Sequence, residues 1–205
     1  MSTMIRTMRG GASTSYPAEF QLLLDDWKFA KPATEDVIDS CNEIVKDYNS
    51  ANGLNRYEKM ADCFAAYAVK MPDATARDSI ASAKPGFEQI GRLYRQFAKD
   101  VQENVTTKLS AFLQSDYKKM TEEVSKLNRA RTSYDNAADL YRRKPNDAEA
   151  EQRKTTAEAA HEAQITATKE CLAALEGFWD MMAECITKFD EILFKLIADE
   201  KEEIE

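Results

Sequence analysis

Apolar residues recur at intervals of three and four over most of the chain, which is the period of an amphipathic helix. Thr34 followed by Glu35 and Asp36 reads as an N-cap with an acidic first turn, after which Val37, Cys41, Ile44 and Tyr48 share a face. The pattern resumes beyond Asn52-Gly53 with Leu54, Tyr57, Met60, Phe64, Tyr67 and Met71, predicting a first long helix over about 34–71. A second is predicted from Pro85, a good first-turn residue, to Lys144, with no glycine or proline between Arg92 and Lys144. Lys144-Pro145-Asn146-Asp147 stops it. Asn146 and Glu149 resemble a capping box that starts a third helix over about 147–203, which carries Ile165, Leu172, Leu175, Trp179, Met182, Ile186, Phe189, Leu193 and Leu196. Cys171, Phe178, Cys185 and Ile192 form a further apolar column, so the buried face is wide.

Ahead of these, Tyr16 to Phe29 predicts a short docking helix ended at Lys31-Pro32, and residues 1–16 a flexible leader before a helical domain over 17–205. Phe20, Leu22, Leu23, Leu24, Trp27 and Phe29 have docking against the core as their first expectation and insertion into lipid as their second. Met4-Ile5-Arg6-Thr7-Met8-Arg9 is a short candidate for membrane insertion.

Helix length decides the shape expected. About 60 helical residues span roughly 90 Å, whereas a compact chain of this size has a radius of gyration near 17 Å. The expected class is therefore all-α: an elongated three-helix antiparallel coiled-coil bundle. A hairpin turning at Pro145 pairs residue i with about 291 minus i, which sets Phe112 against Trp179, Phe97 against Phe194, and the two charges Arg131 and Glu158 against each other as an internal ion pair. Phe97, Phe112, Phe178, Trp179, Met182, Phe189 and Phe194 crowd the end away from the turn, more apolar surface than one chain covers, so they are the expected core and dimer residues.

Charge changes the picture because it is segregated. Residues 108–154 hold eleven Lys or Arg and eight Asp or Glu, a net of +3 inside a chain of net −8, while Asp199 to Glu205 has five acids and one lysine. Cys41, Cys63, Cys171 and Cys185 have neither metal nor redox spacing and read as reduced, buried thiols of a cytoplasmic protein. The first sixteen residues lack the apolar core of a signal peptide.

The stretch FLQSDYKKMTEEVSKLNRARTSYDNA over residues 112–137, set in two long helices joined by a proline turn, resembles the second helix of BAR domains of the endophilin and ArfGAP-associated type. The resemblance covers about residues 20–200. It implies a crescent-shaped antiparallel homodimer, peripheral on membranes of the endocytic and vesicle-trafficking kind, whose basic face and hairpin tips contact anionic phospholipid and sense or induce curvature. Carried onto this chain, the membrane-binding candidates are Lys118, Lys119, Lys126 and Arg129 along the arm and Arg142, Arg143, Lys144, Arg153 and Lys154 around the tip. Glu122, Glu123, Asp135 and Asp139 lie among them, so the arm is mixed in charge, and a solvated helix face is the plain alternative for the arm's cations.

Chemistry is poorly served by this chain. Glu158-Ala-Ala-His161 has the spacing of a carboxylate di-iron ligand pair but lacks the second such motif. With one histidine and no phosphate loop, zinc spacing or nucleophile elbow, neither an enzyme nor a metal or cofactor is expected. No nucleic-acid partner is expected at a pI of about 4.9. Two rivals stand beside the membrane reading: a dimeric helical scaffold for a protein partner such as a small GTPase, with little lipid contact, and a monomeric three-helix bundle.

Overall fold

The computed structural model describes residues 15–48 and 53–204. Every described secondary-structure element is helical: α1 (Ala18–Val45), α2 (Arg56–Ala68), α3 (Ala74–Val101), a π-helical turn (Gln102–Thr106), α4 (Thr107–Gln114), α5 (Asp116–Arg143), α6 (Ala148–Leu172) and α7 (Leu175–Ile204). The all-α class predicted from periodicity is therefore observed.

The helix boundaries depart from expectation at the breakers. The predicted docking helix and the first part of the predicted 34–71 helix are one element, because α1 runs through Pro32. The ring removes one backbone donor, but Lys28, whose carbonyl loses it, and Pro32 are both exposed, so water satisfies the carbonyl. Thr34 is fully buried in mid-helix and does not stand at a helix start. The later part is a separate helix, α2, whose N-cap is Asn55: its side chain accepts from Tyr57 and Glu58 N–H while Glu58 reaches back to the Asn55 N–H, a complete capping box.

Pro85 does not open the second long helix either. Asp73 does, accepting from Ala76 N–H at 2.7 Å, and the exposed Pro85 lies inside α3. The predicted unbroken run to Lys144 is modulated by the π turn and by a turn at Ser115, and the predicted 147–203 helix is divided by a turn at Ala173 and Ala174. Asp147, not Asn146, is the N-cap of α6, accepting from Glu149 and Ala150 N–H. The turn before α7 keeps Leu172, Leu175, Phe178, Met182 and Cys185 all buried.

The chain divides into two compact units. The first comprises residues up to Pro32 with Leu113–Phe178, the α5–α6 hairpin plus the leading part of α1. Here Phe20 is fully buried, Lys169 Nζ lies 5.5 Å from its ring centroid, and Trp27 stacks on Tyr117 at 5.9 Å. Tyr134 stacks on His161 at 5.5 Å and Glu123 accepts from Gln164 at 2.9 Å, so the predicted hairpin register holds to within about one helical turn. The predicted Arg131–Glu158 pair does not form: Arg131 lies over the Tyr16 ring at 5.8 Å, and Glu158 pairs with Lys154 at 3.9 Å on its own helix, where the one-turn spacing is met locally.

The second unit comprises Ala33–Phe112 with Trp179–Glu205. The α2–α3 pair is stapled by a tyrosine cluster, with Tyr94 4.4 Å from Tyr48 and 4.8 Å from Tyr57, and by Phe64 on Phe87 at 5.1 Å. Phe97 meets Phe189 at 6.3 Å and not Phe194, which is 70% exposed. Of the four thiols Cys41 and Cys185 are buried and Cys171 half-buried, but Cys63 is exposed, since α2 turns Ala61 and Ala68 inward and leaves it outside.

Candidate functional site

The cationic site is built on α5 and the turn that follows it. Arg142 and Arg143 occupy the last turn of α5, where the helix's negative end favours them. The Lys144 N–H closes the helix on the Leu140 and Tyr141 carbonyls at 3.0 and 3.1 Å, and Pro145 prevents continuation, so three cations end at one corner.

Nine residues were expected to contact anions, and the structure divides them. Five have a carboxylate partner: Lys119 with Asp116 (3.2 Å), Lys126 with Glu123 (2.5 Å), Arg142 with Asp139 (3.1 Å), Arg153 with Glu149 (2.5 Å) and Lys154 with Glu158 (3.9 Å). Lys154 also lies 5.4 Å from the Tyr141 ring centroid. The Lys126 pair is the best tied: its hydrogen bond raises the Lys126 pKa, and with Gln164 it holds the Glu123 carboxyl below its ordinary range. Lys118, Arg129, Arg143 and Lys144 are exposed and have no carboxylate within ion-pairing distance among the described residues.

Three of those four lie on one line. At about 100° per residue, Lys118, Arg129 and Arg143 fall within roughly 40° of each other around α5, spread over about 37 Å of its length. Lys144 follows directly beyond the helix end, and two acids stand one turn from members of the line, the exposed Glu122 from Lys118 and the half-buried Asp139 from Arg143. Beside the line, Trp27, Thr121, Val124, Ser125, Asn128, Arg129 and Thr132 enclose an open cleft of about 490 Å³ with one cation and no acid in its wall. Sequence reasoning assigned Arg129 to the arm but had no means of placing Trp27 next to it.

Of the expected core and dimer residues, Phe97, Phe112, Phe178 and Met182 are buried, Trp179 and Phe189 are half-buried, and Phe194 stands out to solvent. In the second unit Ile197 is 54% and Ile186 47% exposed on the same helix as Phe194. An apolar groove of about 270 Å³ runs beside Ile186, lined by Val37, Cys41, Ile44, Val105 and Phe189.

A family model for the BAR domain matches residues 2–195. This chain belongs to the BAR domain family. No curated protein matches it. BAR domains are helical modules that dimerise, bind membranes and sense or scaffold their curvature, and they are in general not enzymes. No helix among the described residues is long and apolar enough to cross a membrane.

Proposed function

We propose that this BAR domain, acting through residues 17–205 as one module, binds anionic phospholipid surfaces on the cytoplasmic side as a homodimer and senses or imposes their curvature. The observation that carries the reading is the line of Lys118, Arg129 and Arg143 on α5 with Lys144 just beyond the helix end, none of which has a carboxylate partner among the described residues. An ion-paired lysine must give up its partner before it meets a headgroup, whereas a free one loses only water. Near an anionic surface each such charge contributes on the order of 1 kcal/mol, so four per protomer, doubled by dimerisation, suffice for reversible binding. Arg142, Arg153 and Lys154 support the tip in a lesser role, as Lys119 and Lys126 do the arm. Phe194, Ile197, Ile186 and the groove beside them are the apolar surface for the second copy.

The test is co-sedimentation with phosphatidylserine and phosphoinositide vesicles at low and physiological salt, comparing the chain with Arg143→Glu/Lys144→Glu. Salt-sensitive binding lost in the double variant is the expected result. Absence of binding under every condition refutes it and leaves the protein-scaffold reading, with a partner such as a small GTPase.

A further inference from the structure

His161, the chain's single histidine, is 4% exposed, and its Nε2 is buried without a hydrogen-bond partner. Its ring lies between two tyrosines: Tyr134 of α5 stacks on it at 5.5 Å with 10° between planes, and Tyr16, just ahead of α1, approaches at 5.9 Å. Tyr16 packs edge-on against Phe20 at 5.1 Å. His161 therefore forms the floor on which the amino-terminal end of α1 is seated, and Phe20 and Leu24 are the side chains which that seat buries.

We propose that His161 is a proton-operated latch: uncharged, it holds the Tyr16–Leu24 end of α1 on the α5–α6 hairpin, and on mild acidification it releases that end and bares its apolar face.

A charged ring carries a proton on both nitrogens, and Nε2 meets no acceptor among the described residues, which is the costly case for a buried polar group. The groups that face it do not remove the cost. Arg131, seated over the Tyr16 ring, repels an imidazolium; buried Asp135 on α5 and Glu162 on α6 attract one. Burial outweighs the acids, so the ring's pKa lies below its ordinary value. The sign follows: the closed seat keeps its full stability while His161 is neutral, and loses it as pH falls below the value at which the exposed, unseated ring takes up a proton. Each pH unit by which the seat depresses that pKa weakens it at most tenfold. On opening, the Phe20 and Leu24 side chains join the already exposed Leu22, an apolar set suited to a bilayer interface.

The experiment is backbone hydrogen exchange of the whole chain at about pH 7.5 and pH 5, corrected for the intrinsic pH dependence of exchange, alongside His161→Phe, which keeps a stacking ring but cannot titrate. Protection of the Gln21–Leu24 amides is expected to fall by more than about twofold in the native chain at the lower pH and by less than that in the variant. Unchanged protection in the native chain overturns the latch. So does an equal fall in the variant, which would show that the effect does not come from His161. Should the variant not fold, the NMR titration of the one imidazole decides: a midpoint below about 6.5 is expected, and one at or above it overturns the proposal.

Discussion

Asn55 Nδ2 donates a 2.8 Å hydrogen bond to the Gly91 carbonyl, and this joins the start of α2 to α3. The same side chain caps α2 through its Oδ1, so one amide serves a helix terminus and a helix pair together. Gly91 has no room for a side chain: a Cβ there would lie 2.6 Å from Glu58 Cγ and 3.2 Å from Asn55 Oδ1. Asn55→Ala should cost about 2–4 kcal/mol, a lost cap plus a lost buried bond. Gly91→Ala should also destabilise, by roughly 1–3 kcal/mol, although alanine is the better helix former. Urea unfolding measures both, and a neutral or stabilising Gly91→Ala would contradict the close packing.

The Arg95 guanidinium grips Glu58 at 2.7 and 2.5 Å, and the Asn55 N–H donates to the same carboxylate at 2.9 Å. The Arg95 hydrogen bond, the larger influence, holds the Glu58 pKa below its ordinary value. A depressed carboxylate adds stability above its unfolded pKa and loses it as pH falls through the folded one. Stability should therefore decline below about pH 4.5, and Glu58→Gln should flatten that decline. Denaturation midpoints measured from pH 7 to pH 3 check the prediction, and parallel curves for the two proteins would reject it.

Glu123 occupies Lys126, so removing the acid should free a cation on the arm. Glu123→Gln keeps a side chain that can still meet Gln164 and is expected to strengthen vesicle binding by up to about fivefold per protomer, the equivalent of roughly 1 kcal/mol. Lys126→Ala should change binding by less than about twofold. Co-sedimentation measures both, and the reverse order would show that ion pairing does not select the headgroup contacts.

Phe194 exposes 70% of its surface on the helix that also exposes Ile186 and Ile197. In the dimer proposed above, Phe194→Ala should weaken self-association by about tenfold or more, because burying such a side chain contributes roughly 1.5–3 kcal/mol. Light scattering against concentration checks this, and an unchanged dimer would exclude Phe194 from the interface.

Much of this protein follows from its residues in order. Three- and four-residue spacing is a local consequence of helix geometry, so the all-α class, the buried column Leu172, Leu175, Phe178, Met182, Cys185 and the hairpin about Pro145 were legible without coordinates. So was the basic character of α5, since charge is additive along a chain. What local rules missed were outcomes of competition in space. Pro32 looks like a stop and Pro85 like a start, yet both lie inside helices on exposed faces, because tertiary packing on the opposite face outweighs one lost hydrogen bond. Arg131 and Glu158 had complementary charge and register, but each found another neighbour, and an ion pair is decided by side-chain geometry at the ångström level. For the same reason the sequence supplied nine candidate cations, and only the folded chain distinguished Lys118, Arg129, Arg143 and Lys144 from those already bound to an acid. The seat of Tyr16 on His161 joins residues far apart in the chain, and no periodicity carries that information.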